Sequence, residues 1–325
     1  GFDIVIANPP YGASYPISQK EYFKGHFKSA QTKQGIQKGS LDTFTLFIEQ
    51  GYNLLCKEGC FAYIVPISIT SSDAMMGIHR LLLSNCNPIY ISSYAVRPKP
   101  VFENAVVNTS IIMMRKTENR CEHLYATKMY RRDEGKFSLA CLMSNLQYTN
   151  VLDYMLIGRI PKIGLEIEKS ILSKLSKLPK LSTFLDTEGN PIFYRTTGGR
   201  YFKIVTSYST GSTKEKAIFF NKNYSDAIGC VLSSNLAFWF YQIYSNNLDW
   251  KTYELLSFVM PRFDKKQSNY LESLYRIYLT DIEDNACVRT TTEDSRYSMS
   301  NFKEYKIVRS KSIIDKIDDY IWAFF

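Results

Sequence analysis

The sequence predicts an α/β fold for its amino-terminal part, and two observations carry this prediction. Phe2–Ala7 is a short, nearly continuous apolar run, which is typical of a strand buried on both faces of a parallel sheet. Apolar runs of the same kind then alternate with segments whose apolar residues recur at helical spacing. Strands that alternate with helices are the pattern of a sheet with helical crossovers.

The residues that begin and end elements set their limits. Asp42 predicts a helix N-cap, and Gly59 is expected to end that helix. The helix has its apolar residues on one face, at Phe44, Phe47, Ile48, Gly51, Leu54 and Leu55. The elements predicted after it are a strand at 60–65, a helix at 71–84, and strands at 88–96 and 106–115.

The pattern changes near residue 118, where less regular α+β structure is predicted. Strands are expected at 124–130 and 136–142, and helices at 165–178 and 311–325. The apolar residues 236–244 are interpreted as a buried helix rather than a surface on which bases stack. We therefore expect two domains, residues 1–150 and residues 151–325.

The composition is that of a globular protein, because 45% of the 325 residues are apolar and 22% are charged. The net charge of +9 has the sign that a polyanion-binding protein needs. Seven cysteines without short paired spacings and only three histidines argue against disulfides and a metal site. The sequence has no apolar run of about 18 residues and no signal peptide, which predicts a soluble cytoplasmic protein without a membrane segment.

The residues after the first predicted strand form a candidate site. Pro9 and Pro10 must end the strand, because proline donates no ladder hydrogen bond. Asn8 and Tyr11 are thus presented at the carboxyl end of a strand, where open α/β sheets bind ligands. The Asn8 side-chain carbonyl and the Pro9 backbone carbonyl are two adjacent acceptors for an NH2 group, and the Tyr11 ring can stack on a planar group.

These two acceptors suit one kind of chemistry. An aryl amine is a poor nucleophile because its lone pair is delocalised into the ring. Acceptors for both N–H bonds favour a tetrahedral nitrogen, whose lone pair can attack an electrophilic methyl group. The motif therefore predicts methyl transfer to an amino or amide nitrogen, with Asn8, Pro9, Pro10 and Tyr11 as the catalytic residues.

Asn8-Pro9-Pro10-Tyr11 resembles the NPPY motif of amino-group methyltransferases that use S-adenosylmethionine, above all the N6-adenine DNA methyltransferases of fused type II restriction–modification enzymes. Residues 42–66 and 101–112 are also similar to segments of that family. The resemblance implies the carboxyl-terminal half of a class I (Rossmann-like) methyltransferase sheet, with an antiparallel final pair of strands. It implies that Tyr11 and Phe102 stack on a flipped adenine and that Phe47 faces the adenine ring of the cofactor. Core packing is the alternative role for both phenylalanines.

The chain departs from the family pattern before the motif. The family has a glycine-rich cofactor loop and an acidic residue upstream, and almost nothing precedes the motif here. The departure predicts a carboxyl-terminal fragment that is inactive alone. Its partner would be the upstream half of the same polypeptide, which would bind most of the S-adenosylmethionine.

Two basic regions are candidate contacts to double-stranded DNA. Residues 12–40 contain five lysines and one acid among aromatic side chains, and Lys20 and Lys24 are the predicted phosphate contacts. Residues 189–204 resemble part of a target-recognition domain, here expected to be α+β. In this segment Arg195, Arg200 and Lys203 are predicted to meet phosphates or bases, and Tyr194 and Tyr201 to pack on sugars.

Three alternatives remain open from the sequence. A protein-glutamine methyltransferase shares the N-P-P-Y chemistry, although such enzymes do not usually carry some 200 residues after the last strands. An RNA adenine methyltransferase would use the same site on a single strand. A non-catalytic DNA-binding specificity module would keep the motif as a relic.

Overall fold

A computed structural model of the chain describes residues 1–12, 14–102, 106–132, 139–199, 202–290 and 301–324. The chain divides into two compact units, the first formed by Gly1–Ser173 with Ile243–Asn246, the second by Lys174–Gln242 with Asn247–Phe325. The predicted division of function at residue 150 stays a prediction.

The first unit contains a mixed sheet with helices, so the predicted α/β class is confirmed. Its elements are β1 Phe2–Ala7, α1 Ile17–His26, α2 Thr43–Leu54, β2 Leu55–Pro66, α3 Met76–Asn85, β3 Cys86–Tyr94, β4 Thr109–Lys116, β5 Leu124–Tyr130, α4 Leu139–Ser144, β6 Thr149–Asn150 and α5 Glu166–Leu175. The strand order is β1-β2-β4-β3-β5-β6.

The sheet contains both parallel and antiparallel pairs of strands. β1 runs parallel to β2 and β3 runs parallel to β5, whereas β4 is antiparallel to both β2 and β3. The predicted antiparallel pair is therefore present. Because β1 and β2 are parallel, their carboxyl ends meet at one edge of the sheet, at Ala7 and Tyr63 in the register.

Strand β1 is not buried on both faces, and that prediction is wrong for the described chain. Phe2, Ile4 and Ile6 are 61%, 64% and 74% exposed. β1 is at the edge of the sheet, with β2 as its hydrogen-bonded neighbour, and the face that carries Ile4 and Ile6 opens to a groove. Ile4 and Ile6 line this open groove of about 590 Å³, together with Ala62 and Tyr90.

Helix α2 covers the opposite side of β2. Phe44 and Ile48 are buried, and a Cβ atom at Gly51 would lie 2.6 Å from the Phe61 ring and 2.6 Å from the Tyr63 hydroxyl. The absence of a side chain at Gly51 thus allows the helix to approach the strand closely.

Several limits differ from the predicted ones. The predicted helix does not continue to Gly59, because Leu55 already adopts an extended conformation and begins β2. Residues 139–142, predicted as part of a strand, belong to helix α4, and the rest of that predicted strand lies outside the described residues. Apolar alternation over so few residues does not separate a strand from a helix.

The second unit contains a small antiparallel sheet and several helices. Its elements are β7 Leu185–Arg195, β8 Val205–Thr206, β9 Glu215–Phe220, α6 Ser225–Leu232, α7 Asn235–Tyr244, α8 Thr252–Leu256, α9 Lys265–Asp284, β10 Cys287–Thr290, β11 Asn301–Glu304 and α10 Lys311–Ile321. The last two residues of α7 belong to the first unit, and the last two residues of α5, Lys174 and Leu175, belong to the second. Leu236, Phe240 and Tyr241 on α7 are buried, so the interpretation as a buried helix is confirmed.

His79 on α3 is a buried histidine whose protonation opposes folding. Its Nε2 is 2.6 Å from the Ile69 carbonyl oxygen, and its Nδ1 has no hydrogen-bond partner in the described part of the chain. Burial lowers the pKa of His79 from 6.5 to about 4. Protonation would place an N–H group at Nδ1 without an acceptor, so the folded state favours the neutral ring.

We expect the free energy of unfolding to depend on pH through His79. The unfolded chain binds the proton near pH 6.5 and the folded chain only near pH 4. The stabilisation is therefore complete above pH 6.5 and is lost between pH 6.5 and pH 4, by on the order of 3 kcal/mol. Urea denaturation at several pH values should show a smaller loss for His79→Gln. The control His26→Gln, at an exposed position, should keep the loss, and an unchanged loss in His79→Gln would contradict this role.

Candidate active site

The four residues Asn8 to Tyr11 lie directly after β1, at the end of the sheet where β1 and β2 have their carboxyl ends. Asn8 and Pro10 are exposed, whereas Pro9 is buried. Gly12 follows with a φ of +69°, a conformation that glycine adopts without strain. The asparagine amide is thus open to a ligand at the carboxyl end of β1, as predicted.

The Tyr11 side chain is fixed to the neighbouring strand. Its hydroxyl donates a hydrogen bond of 3.1 Å to the carbonyl oxygen of Ile64, one residue beyond the last β1–β2 pair. Burial raises the pKa of Tyr11 to about 12, so the hydroxyl stays protonated and keeps donating at neutral pH. The hydrogen bond therefore sets the position of the ring.

The rings of Tyr11 and Phe102 lie next to each other although 91 positions separate them in the sequence. Their centroids are 6.5 Å apart and their planes are inclined at 64°. A base stacked between two parallel rings needs roughly 7 Å, twice the van der Waals separation of about 3.5 Å. The distance is close to this value, but one ring must rotate before both rings can stack on one base.

Phe47 lies on α2 between buried residues but is itself 44% exposed. Part of its ring is therefore open to solvent among the described residues. Lys20 and Lys24 are exposed on α1, which has no buried residue. The Tyr15 hydroxyl, 2.8 Å from the Thr43 hydroxyl at the start of α2, links the segment before α1 to the unit.

The candidate DNA contacts of the second unit differ in their surroundings. Arg195 is half-buried at the end of β7, and Arg200 lies outside the described residues, as does Tyr201. Lys203 is half-buried and donates a hydrogen bond to Asn235 Oδ1, and burial lowers the pKa of Lys203. Tyr194 is buried, with its hydroxyl 2.9 Å from the Thr252 hydroxyl, so in this structure it packs inside the unit.

Sequence reasoning missed two buried polar residues near the predicted site segments. Glu49 on α2 accepts hydrogen bonds from the backbone amides of Lys28 (2.9 Å) and Ser29 (2.8 Å). Asn108 at the start of β4 accepts a hydrogen bond of 2.7 Å from the Val96 amide. The sequence signal for each was a polar residue in apolar surroundings: Glu49 on the apolar face of a helix, and Asn108 in an apolar predicted strand.

Within the described ranges, no group of three or more histidine, cysteine, aspartate or glutamate side chains could hold a metal ion. Among the same residues no helix is both long enough and apolar enough to cross a membrane.

The first 102 residues match a known family of proteins. The matching model is that of the Eco57I restriction-modification methylase family, over residues 1–102. This range includes Asn8 to Tyr11, Phe47 and Phe102.

Two proteins of known description are similar over a longer range. The type II restriction enzyme and methyltransferase RM.Eco57I of Escherichia coli is 26% identical over 160 residues, which are 47% of this chain and 15% of the E. coli protein. RM.MjaORFECS2P of Methanocaldococcus jannaschii is 26% identical over 138 residues, which are 42% of this chain and 11% of that protein. The matched regions are thus a small part of both relatives.

One solved structure has a similar fold over nearly the whole chain. It is the DNA complex of the type IIL restriction-modification enzyme MmeI, with a TM-score of 0.52 and 11% sequence identity. The similarity covers 98% of this chain and 53% of MmeI. Residues 1–102 thus match the model of the Eco57I restriction-modification methylase family, and less than half of the chain is similar in sequence to the type II restriction enzyme and methyltransferase RM.Eco57I.

Proposed function

We propose that this chain is part of a DNA methyltransferase that transfers a methyl group from S-adenosylmethionine to N6 of an adenine in duplex DNA, within a restriction–modification system. The observation that carries the proposal is the placement of the exposed Asn8 beside an anchored Tyr11. The adjacent Phe102 ring, 6.5 Å from Tyr11, supports stacking on a planar base.

The chemistry follows from the acceptors of the motif. Asn8 Oδ1 and the Pro9 carbonyl would accept hydrogen bonds from the two N–H groups of the adenine amino group and so localise its lone pair on nitrogen. The lone pair would form the new N–C bond with the methyl group that S-adenosylmethionine supplies, the electron pair of the broken C–S bond would stay on sulfur, and the nitrogen would then lose one proton to water. Because the N6 amino group is paired inside the duplex, the adenine must first be flipped out and held between Tyr11 and Phe102.

S-adenosylmethionine would supply the electrophilic methyl group. The exposed Phe47 ring fits a role in stacking on the adenine of this cofactor, and we assign the main binding elements to the upstream half of the same polypeptide. In the described chain, the outer edge and the apolar face of β1 are open, which supports such a partner because edge strands are commonly covered by another segment.

We assign residues 151–325 to target recognition in double-stranded DNA. The net charge of +9 for the whole chain supports contact with phosphates, which supply most of the sequence-independent affinity. Lys20 and Lys24, exposed on α1, are candidate phosphate contacts outside this range. Arg195, Arg200 and Lys203 stay predicted contacts. The internal hydrogen bond of Lys203 to Asn235 means that Lys203 would have to exchange this partner for a phosphate.

The test combines the chain with its upstream half, labelled S-adenosylmethionine and duplex DNA, followed by analysis of the digested nucleosides. We expect labelled N6-methyladenine only when both halves are present. Label on a protein glutamine, or label in RNA but not in DNA, would overturn the proposal in favour of another acceptor. No labelled product of any kind would favour a non-catalytic binding module.

Substitutions at Tyr11 separate anchoring from stacking. Tyr11→Phe removes the hydrogen bond to Ile64 but keeps the ring, and we expect kcat to fall less than about tenfold. Tyr11→Ala removes the stacking surface, and we expect a fall of at least roughly a hundredfold. Methylation kinetics of the complete enzyme measure both, with Tyr22→Phe, an exposed tyrosine on α1, as the control. Equal losses in both Tyr11 variants would contradict the stacking role.

A further inference from the structure

Asn108 is buried, with 4% of its surface exposed, and it joins three parts of the first unit. Its backbone carbonyl accepts a hydrogen bond of 2.9 Å from the Ile67 amide, just after β2. Its side-chain Oδ1 accepts a hydrogen bond of 2.7 Å from the Val96 amide, just after β3. Since Asn108 directly precedes β4, one residue connects the ends of two strands to the start of a third.

The other side-chain atom of Asn108 binds a distant segment. Nδ2 donates a hydrogen bond of 2.9 Å to the carbonyl oxygen of Asn246. Asn246 is the last residue of Ile243–Asn246, which belongs to the first unit although its sequence neighbours on both sides belong to the second. The segment therefore belongs to the first unit but is far from the rest of that unit in the sequence.

Lys162 fixes the same segment, so the contact with Asn108 is made to a held backbone. The lysine is 2% exposed, and its Nζ donates hydrogen bonds to the carbonyl oxygens of Ile243 (2.8 Å) and Ser245 (2.7 Å). Together with Asn108, two side chains satisfy three carbonyl groups in four residues. Buried carbonyl groups require such partners.

Phe102 lies in the stretch that leaves the sheet after Val96 and returns at Asn108. The hydrogen bond between the Val96 amide and Asn108 Oδ1 joins the two ends of this stretch. The Pro100 carbonyl accepts a hydrogen bond of 3.2 Å from Arg132 Nη1, which is a second anchor before Phe102. Asn108 and Arg132 thus hold the described residues on the amino-terminal side of Phe102 at two points.

Resting on the function proposed above, we propose that Asn108 is a positioning residue that holds Phe102 beside Tyr11 and makes this placement depend on the segment Ile243–Asn246. The position requires an acceptor and a donor on one short side chain, and a primary amide supplies both. Aspartate keeps the acceptor for Val96 but loses the donor for Asn246. Leucine, of similar size, loses both.

The first experiment measures methylation kinetics of the complete enzyme with Asn108→Asp and Asn108→Leu. We expect kcat to fall roughly 10- to 100-fold in both variants, with little change in KM for S-adenosylmethionine, because a displaced ring misaligns the base. The matched control is Ser110→Ala, which removes a buried hydroxyl of β4 that is 3.2 Å from the Ser93 hydroxyl. Wild-type kcat in Asn108→Asp with a loss in Asn108→Leu would overturn the dependence on Ile243–Asn246. Wild-type kcat in both would overturn the positioning role.

The second experiment does not need methylation. Tryptophan fluorescence of Phe102→Trp, measured as the difference from the same protein with Phe102, reports how accessible this position is to acrylamide. We expect the quenching constant to rise about twofold when Asn108→Asp is added, because the side chain at position 108 then loses its hydrogen bond to the Asn246 carbonyl. It should stay constant with Ser110→Ala. No rise would overturn the positioning role, whereas a rise without N6-methyladenine formation by the wild type would overturn only the proposed function.

Discussion

Replacement of Asn8 by alanine should lower methyl transfer by the complete enzyme by roughly 10²- to 10³-fold, the usual cost of removing one polar group that stabilises a developing charge. The side-chain carbonyl is one of only two acceptors that the motif offers to the amino group. Asn8 is exposed and is a single polar side chain, so we expect affinity for duplex DNA to change less than about fivefold.

Two further variants test whether the loss is specific to the acceptor oxygen of Asn8. Asn8→Asp keeps an acceptor oxygen and should retain more activity than Asn8→Ala. Asn53→Ala changes an exposed asparagine on α2 and should leave both rate and affinity unchanged. Single-turnover methylation and a DNA-binding titration measure the two quantities separately. Equal losses of rate and affinity in Asn8→Ala would show that the residue binds DNA and does not act on the amino group.

The second large effect concerns stability. Glu49→Gln should lower the free energy of unfolding by roughly 2–4 kcal/mol, because each carboxylate oxygen accepts one charge-assisted hydrogen bond and the substitution replaces one oxygen by an NH2 donor that faces a backbone N–H. The affected donors are the amides of Lys28 and Ser29. Hydrogen exchange in this stretch should accelerate more than elsewhere in the first unit.

The control for Glu49 is Glu21→Gln. Glu21 is exposed on α1, and a surface substitution of this kind changes stability by less than about 0.5 kcal/mol. Urea denaturation of the three proteins at neutral pH measures the difference. A stability of Glu49→Gln within that range of the wild type would mean that the two amides find other acceptors.

The sequence predicted the features that depend on local pattern. Residues 2–7 as a strand, the end of that strand before Pro9 and Pro10, and the helix after Asp42 follow from period and from proline chemistry. The closeness of Tyr11 and Phe102 was predicted only from the resemblance to a family. Nothing in the spacing of the two residues indicates it.

The features that sequence reasoning missed depend on long-range contacts. Whether β1 is a central or an edge strand is decided by which strands lie beside it, and an apolar run is the same in both cases. Lys203 was predicted as a phosphate contact from its basic and aromatic surroundings. Its bond to Asn235, 32 positions away, has no local signature.

The unpaired edge of β1 also affects how the protein behaves at high concentration. Asp3 is the only charged residue among Phe2–Ala7, and proline follows only after the strand ends. Natural edge strands usually carry lysine, proline or a bulge that prevents pairing with another extended chain. β1 carries neither lysine nor proline, and its pairing with β2 shifts in register only between Phe2 and Ile4. In the described chain, the outer amide and carbonyl groups from Ile4 to Ala7 are therefore a template for intermolecular β-pairing. The colloidal stability of the protein therefore depends on how this edge is covered.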